Sequence, residues 1–283
     1  MKLYLILLIL FIILLIFHHQ LLRLYYKIGV GLKLVFLNLN NYMKDDILLD
    51  QYINKYTNDK IIPNVIYQTY SDKTKIPDIV FENIAKYASS YKYSFYNDDE
   101  CKLLLKTYFQ PKILNKFNSM KMGCHKADLF RYCIIYLYGG FYIDIKTVLL
   151  KPLDRIFNNN YDFYSVIALE NKTIYQGILA TYPRNDIIKR SINFILESSN
   201  KQIDNMYSIF IEFLYIDICK SSILNKVKEG KNILKNSDKV YLFKEECCNK
   251  TCPDKPKDRY GRYCTIKDKD EIVFETRFTT FPW

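Results

Sequence analysis

Lys126-Ala127-Asp128-Leu129-Phe130-Arg131-Tyr132, followed by Tyr138-Gly139-Gly140-Phe141-Tyr142-Ile143-Asp144-Ile145-Lys146, is the stretch on which the reading of this chain turns. Ala127, Phe130, Ile134 and Leu137 recur at helical spacing and form an apolar stripe, with Asp128 and Arg131 one turn apart on a neighbouring face. The glycine pair is the expected stop, because a helix end often needs a residue at positive φ. Phe141, Ile143 and Ile145 then alternate with Tyr142, Asp144 and Lys146, so in a strand the last three share a face and set a carboxylate beside an ammonium. In open α/β sheets ligands bind at the carboxyl ends of strands, which makes this the first place to look for chemistry.

Working outward, strands are predicted over Val65 to Tyr70, Tyr93 to Tyr96, Phe163 to Leu169 and Gly177 to Thr181. Helices are predicted over Asp78 to Ser89, Asp99 to Tyr108, Pro111 to Met122, Lys126 to Tyr138, Asp186 to Ser198 and Ile203 to Leu224. This alternation implies an α/β domain, a Rossmann-like sheet with helices on both faces. Apolar content of 49% and charged content of 25% belong to a globular protein and exclude wholesale disorder. A net charge of +11 fits a polyanionic or membrane partner. Nucleic acid is set aside, because the lysines are scattered and no groove-reading signature accompanies them.

Leu3 to Phe17 is apolar and continues through His18, His19 and Gln20 to Leu21-Leu22, which reaches the roughly 20 residues needed to cross a bilayer. No Ala-x-Ala-like cleavage site follows, so residues 1–23 are expected to stay as a transmembrane signal anchor, a buried core helix being the alternative. Residues 24–60 would be a stem and 61–283 the main domain. Lys2 flanks the run on one side and Arg23, Lys27 and Lys33 on the other, so orientation is left open.

Cys247, Cys248, Cys252 and Cys264 crowd a segment, 245–266, that also holds Pro253, Pro256 and Gly261. It reads as a loop-rich region stapled by disulfides, or alternatively as a four-cysteine zinc site, although adjacent Cys247 and Cys248 make a poor zinc knuckle. Cys101, Cys124, Cys133 and Cys219 sit in apolar helical contexts and are expected to pack as small hydrophobes. Asn171-Lys172-Thr173 and Asn249-Lys250-Thr251 are sequons that would matter in a lumen. Of the histidines, His18 and His19 fall in the anchor and His125 at a helix start, so a histidine base is not expected.

The central stretch resembles the core of the DXD-sugar glycosyltransferases, the Och1-like and toxin-like group, in its K-A-D-L-x-R-Y and Y-G-G-x-Y-x-D-x-x motifs. Ile62-Pro63-Asn64-Val65-Ile66-Tyr67-Gln68-Thr69-Tyr70 is similar to that family's opening strand, and Tyr93-Ser94-Phe95-Tyr96-Asn97-Asp98-Asp99 to its second. Lys151-Pro152-Leu153-Asp154 follows as L-x-P-L-D does there, and Gln176-Gly177-Ile178-Leu179-Ala180 resembles its N-G-F-M-A segment more loosely.

The resemblance implies a GT-A fold and a retaining transfer of sugar from a nucleotide-diphosphate-sugar donor to a glycan or protein acceptor, with the catalytic domain in a Golgi- or ER-like lumen. It implies donor contacts by Gln68, Thr69, Asp128, Arg131 and Asp144, with Asp144 also the candidate ligand of Mn²⁺ or Mg²⁺. The second acidic position of the family's D-x-D is Lys146 in this chain. An ammonium there repels a cation at close range. Lys146 is therefore expected to join Asp144 in catalysis by supplying part of the charge that stabilises the departing diphosphate. The alternative is a catalytically inactive relative that binds glycan or nucleotide-sugar as a module. The carboxyl-terminal Phe274 to Trp283 segment would close over the donor by a weaker analogy.

Overall fold

The computed structural model describes Phe17 and residues 47–53, 60–157, 160–168, 172–206, 208–248 and 263–276. The chain divides into two compact units, residues 1–41 and 42–283, and all described residues but Phe17 lie in the second. The anchor expected over 1–23 and most of the stem lie outside the described residues. Among the described residues no helix is long and apolar enough to cross a membrane.

The elements run α1 Asp50–Ile53, β1 Val65–Thr69, α2 Asp78–Tyr87, β2 Lys92–Tyr96, α3 Asp98–Tyr108, α4 Pro111–Ser119, α5 Gly123–Tyr138, β3 Gly140–Ile143 and β4 Thr147–Leu149. They continue with α6 Leu153–Ile156, β5 Phe163–Ala168, β6 Thr173–Thr181, α7 Asp186–Glu197, α8 Asn200–Asn205, α9 Ile209–Ser221, β7 Gly230–Ile233, β8 Lys239–Cys248, β9 Tyr263–Asp268 and β10 Glu271–Thr276. Local sequence sets several of the boundaries. Asn97 and Glu100 close a capping box at the start of α3, and Ser199 with Gln202 does the same for α8. The helix expected over Ile203 to Leu224 is therefore two helices, the second beginning at Ile209.

The strands form one mixed sheet in the order β2-β1-β3-β6-β5-β8-β9-β10-β4, with β7 beside β8. β1 runs parallel to β2 and β3, β6 is antiparallel to β3 and β5, and β5 is parallel to β8. β3 and β4 are joined only by Asp144, Ile145 and Lys146, yet they lie six strand steps apart in this order. Six steps of about 4.8 Å make a flat span of about 29 Å, whereas the four residue steps from Ile143 to Thr147 reach at most about 14 Å. The sheet must curl until its far edge returns to β3, and the Asp144–Lys146 turn is the seam. Tyr142, Asp144 and Lys146 accordingly do not share one strand face, because the strand ends at Ile143 and the chain turns to reach β4.

Packed on the sheet is a core that includes Ile66, Phe141, Ile143, Val166, Ile178, Phe243 and Phe274, with α5 set against β1, β3, β6 and α7. α5 stops because Gly139 and Gly140 take φ of 66° and 96°. A Cβ on Gly139 would also lie 2.7 Å from Pro183 Cδ, and one on Gly140 2.7 Å from the Val65 carbonyl oxygen. No other residue meets both demands.

The tail departs most from the sequence reading. Segment 245–266 is not a loop at both ends. β8 and β9 pair through it, Cys247 faces Cys264 in register, and these two form a disulfide. Two of the four cysteines are thereby consumed and a four-cysteine zinc site is excluded; Cys252 lies outside the described residues. Phe274 is buried in β10 instead of closing over a ligand, and 277–283 lies outside the described residues.

Candidate active site

α5 carries its charges inward. Asp128 and Arg131, spaced i,i+3 on one face, are 7% and 5% exposed, and buried charge needs partners. Arg131 Nη2 lies 3.1 Å from Asp128 Oδ1 and 3.3 Å from Asp144 Oδ1. Its Nη1 donates to the Gln176 carbonyl at 2.8 Å and its Nε to the Ala127 carbonyl at 3.3 Å. The guanidinium sits 4.6 Å from the centroid of the Tyr142 ring, a cation–π contact that a planar, weakly hydrated cation makes well. Tyr132 donates its hydroxyl to Gln176 Oε1 at 2.5 Å, closing the cluster from behind.

Asp144 comes to Arg131 through backbone geometry. Its N–H donates to the Gly177 carbonyl and its own carbonyl accepts from the Thr147 N–H, both at 2.8 Å. Gly177 leaves room for this approach: a Cβ there would lie 2.3 Å from the Tyr175 ring and hydroxyl and 2.8 Å from Asp144 Oδ2, so one of those side chains would have to shift. β6 thus delivers Tyr175, Gln176 and Gly177 against α5 and the end of β3. The Asp144 side chain keeps 29% exposure, against 6% for Arg131, so it is the outward member of the cluster.

Burial pushes the Asp128 carboxyl up to about 6, with Arg131 pulling the other way and Asp144 adding to the rise. Burial also works against the Arg131 charge, but the Asp144 and Asp128 carboxylates outweigh it and hold the guanidinium firmly protonated. The Tyr142 and Tyr175 hydroxyls are pushed well up by burial and stay neutral.

The sequence-predicted residues Asp128, Arg131 and Asp144 are therefore in mutual contact. Lys146 is partly buried in the same turn as Asp144. Gln68 and Thr69 lie one strand away, since the Tyr67↔Tyr142 register puts Thr69 level with Asp144. Both bind toward β2. Gln68 is fully buried and its Oε1 accepts from the Tyr93 hydroxyl at 2.9 Å, while Thr69 donates to the Tyr96 carbonyl at 2.8 Å. Gln68 Nε2 has no hydrogen-bond partner among the described residues. His125 is buried, not a polar helix-start residue, with its ring 5.7 Å from that of Phe210 and its pKa lowered by burial. Tyr132 and Tyr175 are cluster members that the sequence reading missed. The signal available was a glycine inside an apolar strand, which marks a close approach.

The pair of carboxylates that a D-x-D motif offers a divalent ion is not assembled here. Such an ion takes hard oxygen ligands. Asp144 already shares an oxygen with Arg131, and the position two residues on carries an ammonium.

A buried arginine held between two carboxylates, at the carboxyl edge of a mixed sheet, makes a site suited to an oxygen-rich ligand. Residues 78–163 match the family described as glycosyltransferase sugar-binding region containing DXD motif. An uncharacterized glycosyltransferase of Acanthamoeba polyphaga mimivirus is 28% identical over 213 residues, which is 71% of this chain and 81% of that protein. The initiation-specific alpha-1,6-mannosyltransferase of Candida albicans is 36% identical over 101 residues, 34% of this chain and 25% of that enzyme. That of Saccharomyces cerevisiae is 33% identical over 90 residues, 31% of this chain and 19% of that enzyme. The chain thus spans about a quarter or less of the two mannosyltransferases.

Proposed function

We propose that the chain is a GT-A glycosyltransferase that moves a sugar from a nucleotide-diphosphate donor to a glycan or glycoprotein acceptor with retention of configuration. The observation that carries this reading is the Arg131 guanidinium fixed between Asp128 and Asp144 and stacked on Tyr142. Carboxylates suit sugar hydroxyls as acceptors, and a forked guanidinium suits oxygen-rich groups as a donor. Arg131 and Asp128 hold the donor sugar, Asp144 reaches the sugar and the diphosphate from the turn, and Thr69 lines the donor side one strand away, while Gln68, fully buried against Tyr93, supports that strand from within. The bond from the anomeric carbon to the diphosphate oxygen breaks with its electron pair leaving on the diphosphate. The acceptor hydroxyl bonds to that carbon on the same face, and its proton passes to the departing phosphate oxygen. Fixed positive charge at the leaving group lowers this barrier, and Lys146 supplies it. Mannose is the first donor sugar to try, after the names of the two fungal relatives. The apolar amino end is proposed to anchor the domain to a membrane with the site in a lumen.

The test is nucleotide release from a panel of UDP- and GDP-sugars, with and without an acceptor glycan, Mn²⁺ and chelator. Release that survives chelator and is lost in Asp144→Ala and Lys146→Ala is the expected result. Lys146→Asp is expected to make release depend on Mn²⁺. A specific observation, the lysine in place of an acid, favours a second reading, an inactive sugar-binding module. Nucleotide-sugar binding with no release under any of these conditions would establish it.

A further inference from the structure

On the opposite edge of the sheet lies a second concavity, a cavity of about 490 Å³ among β5, β7, β8 and the β9–β10 turn. The register locates it. Gly140 on β3 is level with Thr181 on β6, Thr181 with Phe163 on β5, and Phe163 with Val240 on β8. Tyr164 and Tyr241, which line the cavity, are level with Phe141, so Asp144 lies about 10 Å further along the strand direction and two to three strands, about 10–14 Å, to the side. The two sites do not merge.

Its wall is aromatic. Tyr161 and Tyr241 stand with ring centroids 4.8 Å apart, Tyr161 and Tyr164 at 5.4 Å, and Tyr164 and Tyr241 at 6.1 Å. Tyr164 is buried while Tyr161 and Tyr241 are half-buried and line the cavity. Around this platform stand Lys231 and Lys269 as donors and Glu229 and Asp268 as acceptors, with the Tyr241 hydroxyl hydrogen-bonded to Asp268. The chemistry selects among ligands. A phosphate or nucleotide would meet both carboxylates at close range, and a lipid surface would find no continuous apolar patch among these charges. Balanced donors and acceptors around tyrosine rings suit a neutral ligand with C–H faces and many hydroxyls, the combination that a pyranose presents.

We propose that this cavity is a second carbohydrate site, which holds a neutral oligosaccharide segment of the acceptor at a distance from the transfer point. The proposal rests on the glycan-acceptor reading above for its biological use, but not for the binding itself. A site of this kind raises the local concentration of a long acceptor at the transfer site without contributing to the chemistry.

The test uses the whole chain and two probes, linear mannose and glucose oligosaccharides of two and of five or more units. Binding is read by saturation-transfer NMR and calorimetry, and transfer by nucleotide release. In Tyr161→Ala and Lys269→Ala, affinity for the longer probes is expected to fall about tenfold, and KM for long acceptors to rise correspondingly. Donor hydrolysis in the absence of acceptor, and KM for the two-unit acceptor, are expected to stay within twofold of wild type. Melting curves identify any variant that fails to fold, and Lys269, exposed in a turn, is the substitution least able to disturb folding. Oligosaccharide binding that survives both substitutions and is lost in Arg131→Lys would overturn the proposal, as would no binding of either probe. Binding lost with Tyr161 in a chain that releases no nucleotide would keep this site and refute the transferase reading instead.

Discussion

Gly177→Ala isolates the geometry of the site from the stability of the fold. Gly177 lies in β6 and its φ is outside the left-handed region, so alanine is allowed by the backbone there. The obstacle is the pair of neighbours, the Tyr175 ring at 2.3 Å and Asp144 Oδ2 at 2.8 Å from the new methyl. Forcing one methyl into a packed place costs about 1–3 kcal/mol, and removing a glycine from the unfolded chain returns about 0.4–1 kcal/mol. The net loss is at most about 2.5 kcal/mol, or about 10 °C of Tm for a domain of this size. The catalytic loss is larger. Relief requires the Asp144 carboxylate or the Tyr175 ring to move by a substantial fraction of an ångström, and a 1 Å misplacement in a site costs about a hundredfold. We expect kcat/KM for nucleotide release to fall about 10- to 100-fold while the melt shifts by only a few degrees. In a Tyr175→Leu background the same substitution is expected to cost less, because the nearer obstacle has gone. Wild-type release by Gly177→Ala, with an unchanged melt, would refute the placement of Asp144 against β6.

Other consequences can be measured with the same assays. Because burial raises the Asp128 carboxyl to about 6, kcat/KM is expected to rise through about pH 6 as the carboxylate forms, and Asp128→Asn is expected to remove that limb along with most of the activity. The same shift has a stability sign: the folded state holds the proton more tightly than the unfolded chain, so wild type loses stability relative to Asp128→Asn as pH rises from about 4 to about 6. Arg131→Lys keeps the charge but cannot reach Gln176, Asp128 and Asp144 together. Losing a charged hydrogen bond worth about 1.5–3 kcal/mol predicts a 10- to 150-fold fall in kcat/KM. Away from the site, Arg190 binds Asp217 through Nε and Nη2 at 2.8 and 3.0 Å, tying α7 to α9 inside the core. Arg190→Ala strands a buried carboxylate and is expected to cost about 3–5 kcal/mol in a urea melt, with donor affinity unchanged in the protein that remains folded.

The elements that sequence revealed are those whose signals are local. α5 and its glycine stop follow from apolar spacing and from the positive φ at Gly139 and Gly140, and the boundaries of β1, β2 and α3 follow from alternation and the Asn97 cap. The Asp128–Arg131 pair follows from helix spacing. What escaped is what depends on residues far apart in sequence. Nothing in the Asp144–Lys146 stretch alone says that the next strand pairs at the far end of the sheet, so a turn read as a strand. Gln176 and Tyr175 join Arg131 and Asp144 only because β6 runs antiparallel beside β3. In the tail, cysteine and proline content suggested loops, although Val240 to Phe243 and Tyr263 to Ile266 carry the β-branched and aromatic residues of strands. Composition outweighed pattern there, and pattern was the better guide.

The curl of the sheet bears on the lysine. Because β4 must lie across the seam from β3, the chain turns within the span of Asp144 to Lys146, and the second acidic position of the family motif falls on the turn instead of on a strand face. Replacing an aspartate there by a lysine raises the local formal charge by two, the charge that one divalent ion brings. The remaining carboxylates, Asp128 and Asp144, are both within 3.3 Å of one guanidinium nitrogen of Arg131, so the cluster carries little uncompensated negative charge to attract an ion. On the proposed reading the donor diphosphate meets Lys146 at the second position of the motif. The charge needed for departure then belongs to the protein, and titration with chelator is expected to leave the rate unchanged. A rate that falls to zero with chelator and returns with Mn²⁺ in the wild-type chain would show that an ion binds despite the lysine, and that Lys146 does not take its place.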